Sequence, residues 1–210
     1  MQKIKTIIFD LGGVIIDLHV EKTISAFSVL SGFPETEVEN AYLSADVFKK
    51  YEKGLISDAE FRQSLRDKFS LKATDAEIDQ AWNAMLGIIP EDRIHSIKKL
   101  MQTYKCVVLS NTNAIHERKF HEILASSFPY QHLNQLFHEV YFSHELNQRK
   151  PDAEIYKNVL KHSQTEADKA LFMDDGLTNL ESASTLGLHT LHIPRNSGFD
   201  QLLKKKLSNT

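Results

Sequence analysis

The sequence predicts an α/β fold, a parallel sheet wound on both faces by helices and carrying an inserted all-helical segment. Three observations predict it. Short apolar runs recur along the chain, helical patterns separate them, and one long stretch holds helical patterns alone. Strands that alternate with helices build a parallel sheet through right-handed crossovers.

Taken in order, residues 4–9 form the first apolar run, broken only by Lys5 and Thr6 and ending at Asp10-Leu11-Gly12-Gly13. Residues 19–88 then break the alternation. Ser57-Asp58-Ala59-Glu60 reads as a capping box opening a helix with Phe61, Leu65 and Phe69 on one face. Thr74-Asp75-Ala76-Glu77 is a second capping box, followed by Ile78, Trp82 and Met85 at helical spacing. After Pro90, placed for a first helical turn, Ile94, Ile97, Leu100 and Met101 share a face. Residues 106–109, 140–142, 170–173 and 188–193 are the remaining apolar runs, each suited to a strand buried on both faces. Ile155, Tyr156, Val159 and Leu160 mark one intervening helix, and Leu177, Leu180 and Ala183 another. The 210 residues therefore divide into a core, 1–18 and 89–210, and a helical insertion, 19–88.

Composition narrows the class. Hydrophobic residues at 41% and charged residues at 25% exclude a disordered, collagen-like or disulfide-scaffold chain. A net charge of −3 offers no electrostatic case for nucleic acid. The single cysteine, Cys106, is expected to be buried and inert, and a lone thiol fits a reducing cytosol. Lys3 and Lys5 precede an apolar stretch as in a leader peptide, but Asp10 interrupts it, Asp17 ends it, and no small-residue cleavage site follows. No segment reaches the ~18–20 apolar residues that span a bilayer. The sequence thus reads as a soluble, cytoplasmic protein with no membrane or nucleic-acid partner, monomeric, with a dimer left open. Lys204-Lys205-Lys206 reads as a solvated face.

In an open α/β sheet, ligands bind beyond the carboxyl ends of the strands. The residues that follow the runs are Asp10-Leu11-Gly12-Gly13, Ser110-Asn111-Thr112-Asn113, Arg149-Lys150-Pro151 and Asp174-Asp175. A carboxylate, a hydroxyl, an ammonium and an acidic pair on one edge have the composition of a site for a divalent cation and a phosphoryl group. Mg²⁺ takes oxygen ligands, usually a few carboxylates with phosphate and water. Each piece has a blander reading. Asp10 alone suits a turn cap, Lys150 a surface lysine, Ser110 to Asn113 a helix N-cap cluster that can also hold an anion, Asp174 a cap and Asn179 a helix surface.

Phe9-Asp10-Leu11-Gly12-Gly13-Val14, Ser110-Asn111-Thr112, Lys150-Pro151 with Ile155-Tyr156, and Phe172-Met173-Asp174-Asp175 with Asn179 together resemble the haloacid dehalogenase-like hydrolases, in the branch with a helical cap after the first motif. The match spans nearly the whole chain, and the segment from Tyr51 to Ser57 resembles a cap segment of that branch. The resemblance implies a doubly wound, Rossmann-like core and a Mg²⁺-dependent phosphatase acting on a small phosphorylated metabolite, sugar phosphates included. It implies Asp10 as nucleophile through an aspartyl-phosphate, Lys150 as counter-charge, and Ser110 and Asn111 with Lys150 as substrate contacts. Asp10, the Gly12 carbonyl, Asp175 and Asp174 would hold the metal, with Asn179 acting directly or through water.

One departure stands out. Phosphatases of the family usually carry a second aspartate, the general acid and base, where this chain has Gly12. General acid–base catalysis contributes typically ~10²–10⁴-fold. Asp17 and His19 are candidate substitutes, and residues near Tyr51 to Leu55 are candidates to face the substrate. Gly12 also motivates two alternatives, a catalytically weak or inactive binding protein and a 2-haloacid dehalogenase. Against the latter, adjacent Asp174 and Asp175 are costly to keep without a cation. Of the ten histidines, His116, His121, His132, His138 and His144 crowd one region without a zinc spacing, and read as surface or satisfied core residues.

Overall fold

A computed structural model describes residues 4–208, so Lys3 of the leader-like start lies outside it. Five strands form one sheet: β1 (Thr6–Phe9), β2 (Lys105–Ser110), β3 (Glu139–Phe142), β4 (Ala170–Asp174) and β5 (His189–His192). Their order is β3-β2-β1-β4-β5 and every pairing is parallel. In β1 and β2, alternate residues enter opposite cores. Ile7, Phe9, Cys106 and Val108 face one layer, and Ile8, Val107 and Leu109 the other.

Helices α6 (Glu91–Leu100), α7 (Ala114–Ser127) and α11 (Asp200–Ser208) cover the first face. Helices α9 (Ala153–His162) and α10 (Leu177–Thr185) cover the second through Ile155, Tyr156, Val159, Leu180 and Ala183. The short α8 (Ser143–Leu146) follows β3 directly. The chain thus has the doubly wound α/β architecture its alternation predicts.

Three local expectations need correction. β3 and β5 are mostly half-buried, because each is an edge strand with one neighbour. Leu177 is 60% exposed rather than part of the α10 apolar face. It is the first residue of that helix, just beyond the end of β4. Pro90 precedes the first turn of α6 as its N-cap rather than entering it.

Between β1 and α6 lie α1 (Val20–Ser31), α2 (Glu35–Ser44), α3 (Asp46–Glu52), α4 (Asp58–Phe69) and α5 (Asp75–Asn83). Both capping boxes form: Ser57 and Thr74 accept from the backbone N–H of Glu60 and Glu77, whose carboxylates reach back. These helices bury their own core, centred on Phe48, Phe61, Trp82 and Ile78. Its rings pack closely, Tyr51 on Phe61 at 4.0 Å and Phe61 against Trp82 at 5.1 Å, each pair worth about 0.5–1.5 kcal/mol beyond burial. The chain leaves and re-enters the sheet side by side, with Leu18 and Leu86 paired as an antiparallel bridge.

Candidate active site

The sheet order reverses at β1 and β4, and the crevice beyond their carboxyl ends receives Asp10 and Asp174. Between them stands Lys150. Its Nζ lies 2.8 Å from Asp10 Oδ1 and 2.7 Å from Asp174 Oδ2, and the side chain is 1% exposed. The ammonium also sits 5.3 Å from the centre of the Phe172 ring. Burial pushes the Asp10 carboxyl up to about 7, with Lys150 opposing and Asp174 adding to it. Burial works against the Lys150 ammonium, but Asp10 and Asp174 outweigh it and keep the charge bound.

The backbone completes the cradle. Leu11 N–H donates to Asp10 Oδ1 at 2.7 Å, leaving Oδ2 without a protein hydrogen bond among the described residues. Asp174 Oδ1 accepts from Gly176 N–H at 2.7 Å and from Asn179 Nδ2 at 3.0 Å, so Asn179 orients a carboxylate. Asp175 Oδ2 accepts from Arg195 Nε at 2.6 Å. Asp10, Asp174 and Asp175 each offer an oxygen, and these oxygens lie within 4.8 Å of one another. Hard oxygen donors at this spacing, with two cations for three carboxylates, suit a divalent cation of the Mg²⁺ type.

Ser110 is buried at the end of β2, and its hydroxyl makes only a 3.5 Å contact with the next carbonyl. That hydroxyl is available to an anion. Asn111, expected to contact substrate, is instead spent on the loop: its Nδ2 donates to the Lys150 carbonyl at 2.9 Å, and its Oδ1 accepts from Lys150 N–H at 2.8 Å. The N-cap reading of this segment falls to Asn113, whose side chain accepts from His116 N–H at the start of α7.

A cavity of about 90 Å³ lies between the sheet edge and the inserted helices, lined by Gly12, Leu18, Tyr42, Glu52, Ser110 and His116 among others. A Cβ at Gly12 would meet only Leu18, at 3.4 Å, an ordinary contact, so the backbone there has room for a side chain that this chain lacks. Neither Asp17 nor His19 lines this cavity. Asp17 pairs with Arg93 at 2.8 Å, and His19 faces Glu21 at 3.3 Å.

A family model for haloacid dehalogenase-like hydrolases matches residues 4–187. The chain belongs to the haloacid dehalogenase-like hydrolases. The D-ribitol-5-phosphate phosphatase of Bacteroides thetaiotaomicron is 32% identical over 92% of this chain and 93% of its own. A family enzyme of the same bacterium, crystallised with magnesium and inorganic phosphate, superposes with a TM-score of 0.84 at 33% identity, covering 95% of this chain and 98% of its own. A haloacid dehalogenase-like hydrolase of Porphyromonas gingivalis reaches a TM-score of 0.88 at 27% identity and 98% coverage of both chains.

Three placements near this hydrolase's site escaped sequence reasoning. Arg149 binds Glu52 Oε2 through Nε at 3.0 Å and Nη2 at 2.9 Å. Arg195 sits on Asp175, far along the chain, and Tyr42 lines the cavity from α2. Only the Arg149-Lys150-Pro151 context carried a signal, since a second cation beside the first hints at a second anion. Among the crowded histidines, His116 is buried and doubly bonded, to Asn113 Nδ2 at 3.2 Å and the Trp82 carbonyl at 3.0 Å. His144 pairs with Glu117 at 3.0 Å. No helix of the described residues is long and apolar enough to cross a membrane.

Proposed function

We propose that this hydrolase is a Mg²⁺-dependent phosphatase of a small phosphorylated metabolite, with sugar and sugar-alcohol phosphates the first class to try. The observation that carries the reading is Lys150, fully buried and bridging Asp10 and Asp174 beside the unspent Ser110 hydroxyl. A buried cation shared by two carboxylates holds one of them deprotonated and ready, and it meets the incoming phosphoryl charge.

Asp10 acts as nucleophile through Oδ2, its other oxygen being fixed by Leu11 N–H and Lys150. Asp10 attacks phosphorus to give an aspartyl-phosphate, which water then hydrolyses. Ser110 hydrogen-bonds a phosphoryl oxygen, and Asn111 positions Lys150 through its main chain. Asp10, Asp174, Asp175 and the Gly12 carbonyl hold the metal. When bound, Mg²⁺ offsets repulsion between an anionic nucleophile and an anionic substrate. Residues 19–88 act as the cap. Such a cap opens to admit substrate and closes to exclude water. The phosphatase named above and the magnesium–phosphate complex of the neighbouring structure support this reading.

Phosphate release from a panel of monoesters, with and without Mg²⁺, tests it. Wild type should release phosphate only with the metal, and Asp10→Asn should fall to background. Equal release by both would remove Asp10 as nucleophile. Gly12 favours a second reading, a retired enzyme: no turnover on a broad panel with retained phosphate and Mg²⁺ binding would support it. Halide release from 2-haloacids, insensitive to chelator, would instead indicate the dehalogenase.

A further inference from the structure

We propose that Glu52, reaching the site from the end of α3, protonates the leaving group and then activates the water, the role that Gly12 cannot fill. The assignment rests on the phosphatase reading above. It begins from a process of elimination. Glu52 is the only carboxylic acid among the residues that line the cavity over Gly12 and Ser110. His116 also lines it, but both of its ring nitrogens are committed, and burial lowers the imidazole to about 4. The Tyr42 phenol is raised to about 12, by burial first and by Glu52 second, too weak an acid for the task near neutrality. Asp17 and His19 are paired elsewhere, with Arg93 and Glu21.

Glu52 is also fixed in place on the wall that carries Gly12 and Ser110. Both contacts from Arg149 fall on Oε2, so Oε1 keeps no protein hydrogen bond among the described residues. Its main chain is bound to the core, since Ser143 Oγ donates to the Glu52 carbonyl at 2.6 Å. The following turn is fixed as well. Lys53 Nζ meets Asp152 at 2.8 Å, and Asn147 Nδ2 donates to the Lys53 carbonyl at 2.9 Å. Gly54 has φ +64°, and a Cβ there would collide with the His144 carbonyl. A group fixed in this way needs no further ordering before it transfers a proton. Burial raises the Glu52 carboxyl above the usual range, while Arg149, Lys150 and Lys49 pull it down. Arg149 stabilises the carboxylate left after transfer.

The steps balance. Asp10 Oδ2 bonds to phosphorus while the ester P–O bond breaks toward the leaving oxygen, which takes the Glu52 proton and departs as a neutral alcohol. Water then attacks the phosphorus of the aspartyl-phosphate and gives a proton to the Glu52 carboxylate. The Asp10–phosphorus bond breaks, inorganic phosphate leaves, and both residues return to their starting states.

The test compares wild type and Glu52→Gln, with Mg²⁺, on a sugar-alcohol phosphate and on p-nitrophenyl phosphate. An alkoxide must be protonated to leave, whereas p-nitrophenolate need not be. We expect the variant to lose ~10²–10⁴-fold in kcat/KM on the alcohol ester and less than ~10-fold in kcat/KM on the nitrophenyl ester, the typical reach of general acid catalysis, because this ratio reports transfer to Asp10 and not the hydrolysis step that both substrates share. The retained activity also shows that the variant is folded. Equal losses on both substrates, or no loss on either, would overturn the assignment and leave the phosphatase reading standing. Wild type inactive on both would overturn both. If the variant fails to fold, wild-type rates across phenyl and alkyl esters decide: a shallow dependence on leaving-group acidity supports an internal acid, and a steep one overturns it.

Discussion

At the scale of single residues, charge and burial decide most of what this protein does. Lys150 is the extreme case, an ammonium 1% exposed between two carboxylates, one of them Asp174 at 0%. Its removal leaves two buried anions facing each other. Lys150→Met should therefore abolish phosphate release and cost about 3–5 kcal/mol in urea unfolding without metal, the usual penalty for breaking a buried pair. His116 makes a pH prediction. Burial outweighs its bond to the Trp82 carbonyl and lowers it from 6.5 to about 4. The unfolded chain then binds the proton first. This residue's contribution is whole above pH 6.5 and is lost as pH falls toward 4, up to about 3 kcal/mol at ~1.4 kcal/mol per pKa unit. Thermal melts should show wild type losing more than His116→Gln over that interval; parallel losses would refute it. The chemistry-bearing residues were legible because each of Asp10, Ser110 and Asp174-Asp175 stands at a strand's end. Glu52 and Arg149 fell within named segments, Tyr51 to Leu55 and Arg149-Lys150-Pro151, but their pairing was not legible, because nothing in the order of residues pairs two positions so far apart.

At the scale of elements, local rules account for the inserted helices. The capping boxes at Ser57 and Thr74 each close a helix start before any tertiary contact is needed. Ser57→Ala and Thr74→Ala should each lower stability by about 0.5–2 kcal/mol with little effect on turnover. The α3–α4 turn behaves differently. Gly54→Ala faces a left-handed backbone costing about 1–2 kcal/mol and a collision with the His144 carbonyl. That substitution should depress both Tm and turnover, since the same turn carries Glu52 over the site; an unchanged kcat would detach the turn from the chemistry. Strand burial shows the limit of element-level reading. The interior strands β1, β2 and β4 match their apolar runs, but β3 and β5 are only half-covered. A run of apolar residues reports that a strand has covered faces, not which strand stands at the edge.

At the scale of the whole molecule, two cores meet over one crevice. The sheet and its covering helices bury apolar layers on both faces, while the inserted helices bury a separate aromatic cluster. Trp82 and His116 stack at 4.6 Å and join the two across α5 and α7. Neither core uses the acidic crevice, so removing the metal should stop the chemistry without unfolding the chain. Chelator should eliminate phosphate release and leave the far-UV circular dichroism unchanged, and Mg²⁺ with phosphate should raise Tm by mass action. Loss of secondary structure on chelation would show instead that the ion holds the fold.

The sequence by itself determined the α/β class, the helical insertion and the residues that close each strand, because these depend on local periodicity, on caps and on chain order. Only the tertiary structure decided how those residues meet. It brought Lys150 within 2.8 Å of two acids, turned the Asn111 amide toward the Lys150 main chain and put Leu18 beside Gly12. It also carried Glu52 across from the insertion. Distances between groups far apart in the chain follow from how whole layers pack, and packing is a property of the folded assembly of elements rather than of any one of them.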